Sequence, residues 1–377
     1  MSEKIVFNLN KPSPTFIASA DIHLGKKLYN FPELEEDLRD NFVRLVELAI
    51  EKDVRYLIIA GDLFEDNNYT KPHTIAFIAK LVAKLALHDI KLIGIAGDHD
   101  KPLKGEAWIR ISDILPVTIE PSFTGLDYFD YSYVTVDELV TALTGDKNPE
   151  NIKWIFLHCQ FPQLFKMAEP KKLIDFNKLE LFKNFPNLQG IIAGDIHSGP
   201  ETKAYGVNRE AYVGYTGSLG ITDIAESRTV KSVLYCDGKN LIRLPFQQRR
   251  AWKEINFQGE AAVNFDVSAE LEWINKEKFK PVLKINWDNN SDPYINKLTA
   301  LYEAALVKLQ QHPIGSLTND ECEEVLTSRS DITTDVKIEK ALHSCCDGDE
   351  DLYTLSLSLL NNDVKDTLDQ FKAKYEL

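Results

Sequence analysis

Five short motifs of acidic residues and histidines, each at the end of an apolar run, constrain this chain most strongly. Short apolar runs separated by helical stretches are typical of buried strands in α/β proteins, and ligands of such sheets bind at the carboxyl ends of the strands. The sequence therefore predicts an α/β fold in which five strand ends deliver carboxylates and imidazoles to one place. The motifs are Asp21-Ile22-His23, Gly61-Asp62, Gly97-Asp98-His99-Asp100, His158 and Gly194-Asp195-Ile196-His197.

Carboxylates and imidazoles brought together in this way are the ligands of a two-metal site. Two divalent ions about 4 Å apart hold a phosphodiester, lower the pKa of a bound water and stabilise the leaving oxygen. Asp62 has the short anionic side chain that a bridging ligand needs. Each motif alone has another reading, since Gly61-Asp62 could be a strand-end turn and His158 a structural histidine. Their shared strand-end position favours the metal site.

Length, hydropathy and cysteines limit the class of protein. At 377 residues the chain is long enough for two or three domains. It has no apolar run of about 18 residues, the length of a membrane span, and its start lacks a signal-peptide pattern. Cysteines without CxxC spacing fit a reducing compartment, so we expect a cytoplasmic protein without membrane contact. The five cysteines are Cys159, Cys236, Cys322, Cys345 and Cys346.

The net charge of −15 counts against nucleic-acid binding unless it is unevenly distributed. Residues 319–377 contain 15 acidic and 6 basic residues, so most of the excess lies at the C-terminal end. Several of the remaining carboxylates belong to the proposed metal site, where bound cations would offset them. The charge therefore leaves DNA open as a partner of the first 318 residues.

Apolar periodicity predicts the order of the secondary structure. Residues 33–51 and 73–88 carry apolar side chains at mostly three- and four-residue spacing, which indicates helices between strands. Residues 232–235 and 241–244 surround Asp237-Gly238, a pattern that predicts a hairpin.

The chain changes character near residue 255. We expect strands at 255–257 and 282–287 and a helix at 294–311, which together would form a small α+β domain. Residues 319–377 read as mostly helical. The predicted domains are thus 1–254, 255–315 and 319–377.

Three segments carry a resemblance to a known family. Ser19-Ala20-Asp21-Ile22-His23-Leu24-Gly25, Ala60-Gly61-Asp62-Leu63-Phe64 and Tyr215-Thr216-Gly217-Ser218 resemble motifs of the SbcD nuclease family, within the calcineurin-like metallophosphoesterase superfamily. The resemblance covers residues 15–250 well and is weaker beyond them. It implies a metallophosphoesterase β-sandwich flanked by helices, with a small α+β capping domain that contacts DNA and a helical C-terminal region.

The resemblance also implies the roles of the motif residues. Asp62 would bridge both ions, His99 would be the catalytic histidine that protonates the leaving oxygen, and Asp100 would orient it. The family commonly has Asn where Asp98 stands and His where Asp195 stands, so this chain places two anions at its second metal. The first ion would be held by Asp21, His23, Asp62 and His197, and the second by Asp62, Asp98, His158 and Asp195.

The family's activity gives the functional expectation. It is a metal-dependent DNA nuclease, using two divalent ions (manganese foremost, magnesium as the alternative), that acts with an SbcC-like ABC-type ATPase in DNA recombination, repair or degradation. The resemblance implies a homodimer and ATPase binding through residues 319–377, where Leu355, Leu359 and Phe371 belong to an apolar stripe. A small-molecule phosphatase or nucleotide phosphodiesterase on the same fold is the alternative, and a non-catalytic scaffold is a third reading.

Overall fold

The apolar runs predicted as strands form the centres of two facing sheets in the computed structural model. It describes residues 6–65, 72–101, 120–127, 135–164, 170–175, 181–199, 201–206 and 209–311, and these belong to one compact unit. The predicted helical region 319–377, with Cys322, Cys345 and Cys346, lies outside the described residues. Within those ranges, no helix has both the length and the apolar character to cross a bilayer.

Strands and helices alternate along the first half of the chain. The strands are β1 (Val6–Asn8), β2 (Phe16–Ser19), β3 (Tyr56–Ala60), β4 (Lys91–Ile95), β5 (Phe123–Gly125), β6 (Trp154–His158), β7 (Gly190–Gly194), β8 (Glu201–Gly206), β9 (Arg209–Tyr215), β10 (Ser232–Cys236), β11 (Asn240–Pro245), β12 (Trp252–Phe257), β13 (Val282–Trp287) and β14 (Leu306–Gln311). The α-helices are α1 (Pro32–Glu51), α2 (Pro72–Ala86), α3 (Val136–Thr144), α4 (Leu181–Asn184), α5 (Glu260–Val263), α6 (Val267–Ile274) and α7 (Thr299–Ala304).

The first two sheets bury a shared aromatic core. One has the order β1-β11-β10-β2-β3-β4 and the other β5-β6-β7-β9-β8. Phe16 of the first sheet meets Trp154 and Phe123 of the second edge to face, with ring centroids 5.2 and 5.7 Å apart. Edge-to-face packing is a preferred arrangement of aromatic rings. The facing sheets confirm the predicted β-sandwich, and the antiparallel pairing of β10 with β11 confirms the predicted hairpin.

Helices cover the outer face of the six-stranded sheet, as the periodicity predicts. Helix α1 begins at Pro32, whose ring suits the first helical position, and has Glu33 and Glu35 in the first turn. Its buried side chains include Phe42 and Leu45, which join the core formed with β3 and α2. The helices predicted at 33–51 and 73–88 are both confirmed, with small shifts at their ends.

A third sheet follows residue 251, and one prediction there is wrong. Strands β12, β13 and β14 pair in parallel, whereas residues 294–311 were expected to form a single helix. Only α7 and the 3₁₀ turns before it are helical, and Leu306 begins a strand that pairs with Val282. The alternation of Val307, Lys308 and Leu309 suits a strand whose alternate side chains face opposite sides.

A buried ion pair ties the beginning of the third sheet to helix α1. Nε of Arg250 donates to Oδ2 of Asp37 at 2.6 Å, and a second nitrogen of the same guanidinium donates to Oδ1 at 3.2 Å. Beside the pair, Leu34 and Leu28 pack in a small apolar cluster with Val282. The third sheet is therefore packed directly against the element that follows the first metal motif.

Candidate metal centre

The five motifs meet where the strands of the two sheets end. The loops after β2 and β3 are bonded to each other, because the amides of Ile22 and His23 both donate to the carbonyl of Asp62, at 2.8 and 3.0 Å. The amide of Asp195, after β7, donates to Oδ1 of Asp21 at 3.0 Å. All seven residues predicted as ligands fall into groups whose ligand atoms lie within 4.8 Å of one another: Asp21 with His23 and His197, Asp21 with Asp62 and His158, and Asp98 with His158 and Asp195.

The backbone turns sharply at four of these residues. Asp21, His23, Asp62 and Asp195 have φ angles of 50°, 51°, 52° and 86°. The left-handed region is uncommon for residues other than glycine, although Asp and His are enriched there, and strained residues of this kind cluster at functional sites. The fold keeps strained turns where the motif side chains converge.

Asp62 lies between the histidines of the two groups. Its Oδ2 is 3.3 Å from Nε2 of His158 and 3.8 Å from Nε2 of His23. Its Oδ1 accepts a hydrogen bond of 3.0 Å from the amide of His99. Although burial opposes ionisation, the charges of His158 and His23 hold the pKa of Asp62 below its usual value. Asp62 thus has the position of a bridging anion.

The histidines are oriented as metal-binding histidines are. Nδ1 of His158 donates to the carbonyl of Ala60 at 3.0 Å, and Nε2 faces the carboxylates. Nδ1 of His197 is 2.6 Å from Glu226, and Nδ1 of His23 makes a 2.8 Å ion-pair contact with Glu65. Among the described residues, the buried Nε2 of His23 has no hydrogen-bond partner. Oxygen acceptors on Nδ1 direct the other ring nitrogen to a metal, so the donor set fits divalent ions.

Sequence reasoning missed the residues that hold two of these histidines. Glu226 also binds Lys231 at 2.6 Å, and Glu65 binds Lys26 at 2.9 Å. Burial opposes the charge of Glu226, but its hydrogen bond with His197 lowers the pKa of the carboxyl well below its usual value. Glu65 follows Asp62 by three residues and was open to detection. Glu226 lies in a short 3₁₀ segment far from any motif, without a local signal.

The second group contains a cation that the motifs did not indicate. Nζ of Lys172 lies 2.8 Å from Oδ2 of Asp98 and 2.7 Å from Oδ1 of Asp195. Nε2 of Gln160 donates to the other oxygen of Asp195 at 2.6 Å. Burial opposes ionisation of Asp98, yet hydrogen bonds from His158 and Lys172 hold its pKa well below the usual value. Both anions that depart from the family pattern are therefore paired with one lysine.

The two residues predicted as catalytic have different surroundings. His99 is 42% exposed at the side chain, and its Nδ1 lies 2.9 Å from the carbonyl of Glu65. Ligand atoms of His99, His23 and Asp62 also lie within 4.8 Å of one another. Asp100 is buried and accepts hydrogen bonds from the amides of Phe64 and Gly97 at 2.9 and 2.8 Å. Asp100 therefore holds the loops that carry Asp62 and His99, and the catalytic roles stay predictions.

Glycines allow the backbone to approach the ligands. A Cβ on Gly97 would overlap the carboxylate of Asp62, and one on Gly61 would overlap the ring of His158. Gly194 is equally confined, between the carbonyl of Ala60 and the His158 ring. Each of these glycines precedes a predicted ligand, so the small residue and the ligand form one structural unit.

Gly61→Ala is expected to weaken metal binding by roughly 10- to 100-fold, the usual effect of misorienting a ligand. The added methyl group would displace His158, and the φ of +93° would add strain. Gly25→Ala is the matched control, because its φ is +97° but its Cβ would meet nothing within 4 Å. Manganese titration by calorimetry compares the two. Equal metal affinity in both variants would contradict the steric argument.

Fold and site together define a metallophosphoesterase. Residues 14–199 match the family of calcineurin-like phosphoesterases. The chain thus carries a calcineurin-like metallophosphoesterase domain, as the motifs predicted.

Relatives among proteins of known function are archaeal DNA double-strand break repair proteins named Mre11. That of Sulfolobus acidocaldarius is 42% identical over 90 residues, covering 23% of this chain and 22% of the relative. Identity is 30% over 188 residues with the Haloferax volcanii protein, covering 45% and 40%. With the Methanosarcina acetivorans protein it is 24% over 220 residues, covering 55% and 34%. This chain spans between about a fifth and two fifths of these relatives' lengths.

Proposed function

We propose that this protein is a metal-dependent DNA nuclease that hydrolyses phosphodiester bonds at two divalent ions. The observation that carries the proposal is the position of the Asp62 carboxylate between His23 and His158, which joins two groups of ligands at a single anion. The similarity to Mre11 proteins supports DNA as the substrate. When bound, the two ions would supply an activated water and neutralise charge on the phosphodiester.

The protein's own residues divide the remaining work. Asp21, His23, Asp62 and His197 would hold one ion, and Asp62, Asp98, His158 and Asp195 the other. Since a carbonyl oxygen only accepts, Nδ1 of His99 carries a proton toward Glu65, and Nε2 is the nitrogen that gains or loses one. His99 would deliver that proton to the leaving oxygen, and Asp100 would keep its loop in place through Gly97.

The donor set favours manganese or magnesium over zinc. Carboxylate oxygens suit these harder ions, whereas zinc is favoured by imidazole and thiolate. Asp98 and Asp195 replace neutral ligands of the family pattern by anions, which makes the second position harder. We propose manganese as the ion used and magnesium as the alternative.

The proposal extends to domains and partners. Residues 1–254 would be the nuclease, 255–315 the cap that contacts DNA, and 319–377 the region that binds an SbcC-like ABC-type ATPase. We propose a homodimer, and the cytoplasm as its location. The acidic balance of 319–377 suits a protein partner better than DNA.

A nuclease assay on linear duplex DNA tests the function. We expect cleavage with manganese or magnesium, little with zinc, none with a chelator, and stimulation by a candidate SbcC-like ATPase. A parallel assay with p-nitrophenyl phosphate tests the alternative. Rapid turnover of this small ester without DNA cleavage, with or without the ATPase, would reject the nuclease in favour of a phosphatase.

A further inference from the structure

Lys172 connects the two carboxylates that set this chain apart from the family pattern. Its ammonium group is 2.7 Å from Oδ1 of Asp195 and 2.8 Å from Oδ2 of Asp98, and the lysine side chain is only 11% exposed. A lysine buried between two acids is held by both charges and hydrogen bonds. The short 3₁₀ turn Pro170–Lys172 delivers it from a segment that contains none of the five motifs.

The lysine uses atoms that the second metal would need. Oδ1 of Asp195, which binds Lys172, is also the oxygen that lies 3.9 Å from Nε2 of His158. Gln160 donates to the other oxygen of Asp195, so both carboxylate oxygens have a partner. An ion placed between Asp98, His158 and Asp195 would therefore share Oδ1 with a neighbouring positive charge.

The first group lacks a comparable arrangement at its predicted ligands, as far as the described residues extend. Lys26 binds Glu65 and Lys231 binds Glu226, the carboxylates that hold histidine rings from behind. These lysines stabilise the supports of His23 and His197. Lys172, in contrast, is bonded to two proposed ligands directly.

We propose that Lys172 is an internal cation that competes with the second divalent ion for Asp195 and Asp98. The protein then binds its first ion tightly and its second ion more weakly, and the lysine sets the concentration at which the second position fills. The inference rests on the proposed two-metal function. It gives Asp98 and Asp195 a use without metal, since they hold the lysine, and a use with metal, since they become ligands.

Lys172→Met in the full chain tests the proposal. Removing a positive charge a few ångströms from the ion is expected to tighten the second manganese site at least roughly tenfold, while the first site is unchanged. Isothermal titration with manganese gives the two affinities, and electron paramagnetic resonance detects the spin-coupled pair. Lys171→Met is the matched control, because Lys171 is its exposed neighbour, and it should behave as wild type.

Lys172→Gln provides a second variant in case the methionine side chain prevents folding. Glutamine removes the charge but still donates hydrogen bonds to one of the carboxylates, and the same gain in second-site affinity is expected. An unchanged or weakened second site in the folded variants would overturn the proposal and leave the two-metal function standing. If wild type and variants all bind no ion, the two-metal function fails and the proposal fails with it.

Discussion

His99→Ala is expected to retain both ions and DNA binding while losing roughly 100- to 10,000-fold of its phosphodiester cleavage, the usual contribution of general acid–base catalysis. The reason is the orientation of the ring, whose Nδ1 faces the Glu65 carbonyl and leaves Nε2 as the titrating nitrogen. Single-turnover cleavage of duplex DNA with manganese measures the loss.

The control for this variant is a histidine outside the cluster. His88 is exposed and follows α2, so His88→Ala should cleave at the wild-type rate. Calorimetry must accompany the kinetics, because the ligand atoms of His99 lie close to those of His23 and Asp62. If His99→Ala loses an ion, His99 is a ligand; if it cleaves nearly as fast as wild type, another group is the acid.

Asp62→Asn should remove the common ligand of both groups and reduce cleavage at least about 1,000-fold, since metal stabilisation of the transition state amounts to several kcal/mol. The substitution keeps the shape of the side chain, and asparagine tolerates the left-handed backbone that Asp62 adopts. The number of manganese ions bound per chain, measured by calorimetry, should fall below the wild-type value.

Folding and charge need separate controls in this experiment. Asp146→Asn removes one negative charge from an exposed turn and should leave metal binding and cleavage unchanged. Thermal unfolding without metal should show that Asp62→Asn is folded, since it keeps an acceptor for the His99 amide. Wild-type ion stoichiometry in Asp62→Asn would rule out the bridging role.

Local patterns predicted most of the sandwich and the composition of the site. The apolar runs at β3, β6 and β7 had the length and lack of alternation of buried strands, and Asp62, His158 and Asp195 lay at their ends. The stripes of α1 and α2 gave their position between parallel strands. These inferences succeeded because strand ends of parallel sheets collect at one edge, which chain order alone predicts.

Prediction failed where an element depended on its tertiary partner. Residues 306–311 are a short apolar segment beside a helix, and periodicity extended that helix through them. In the structure they pair with β13 and close the third sheet. Short apolar segments do not distinguish helix from strand by themselves, and here the available sheet edge decided.

What the sequence determined by itself is therefore the set of motif side chains and the strand ends that bear them, because both depend on local spacing. The tertiary structure alone decided the supports and the charge balance. Lys172 reaches Asp98, and Glu226 reaches His197, across segments that have no common motif. Long-range contacts of this kind follow from how loops pack over the sheet edge, and that packing is a property of the whole fold rather than of any single stretch of sequence.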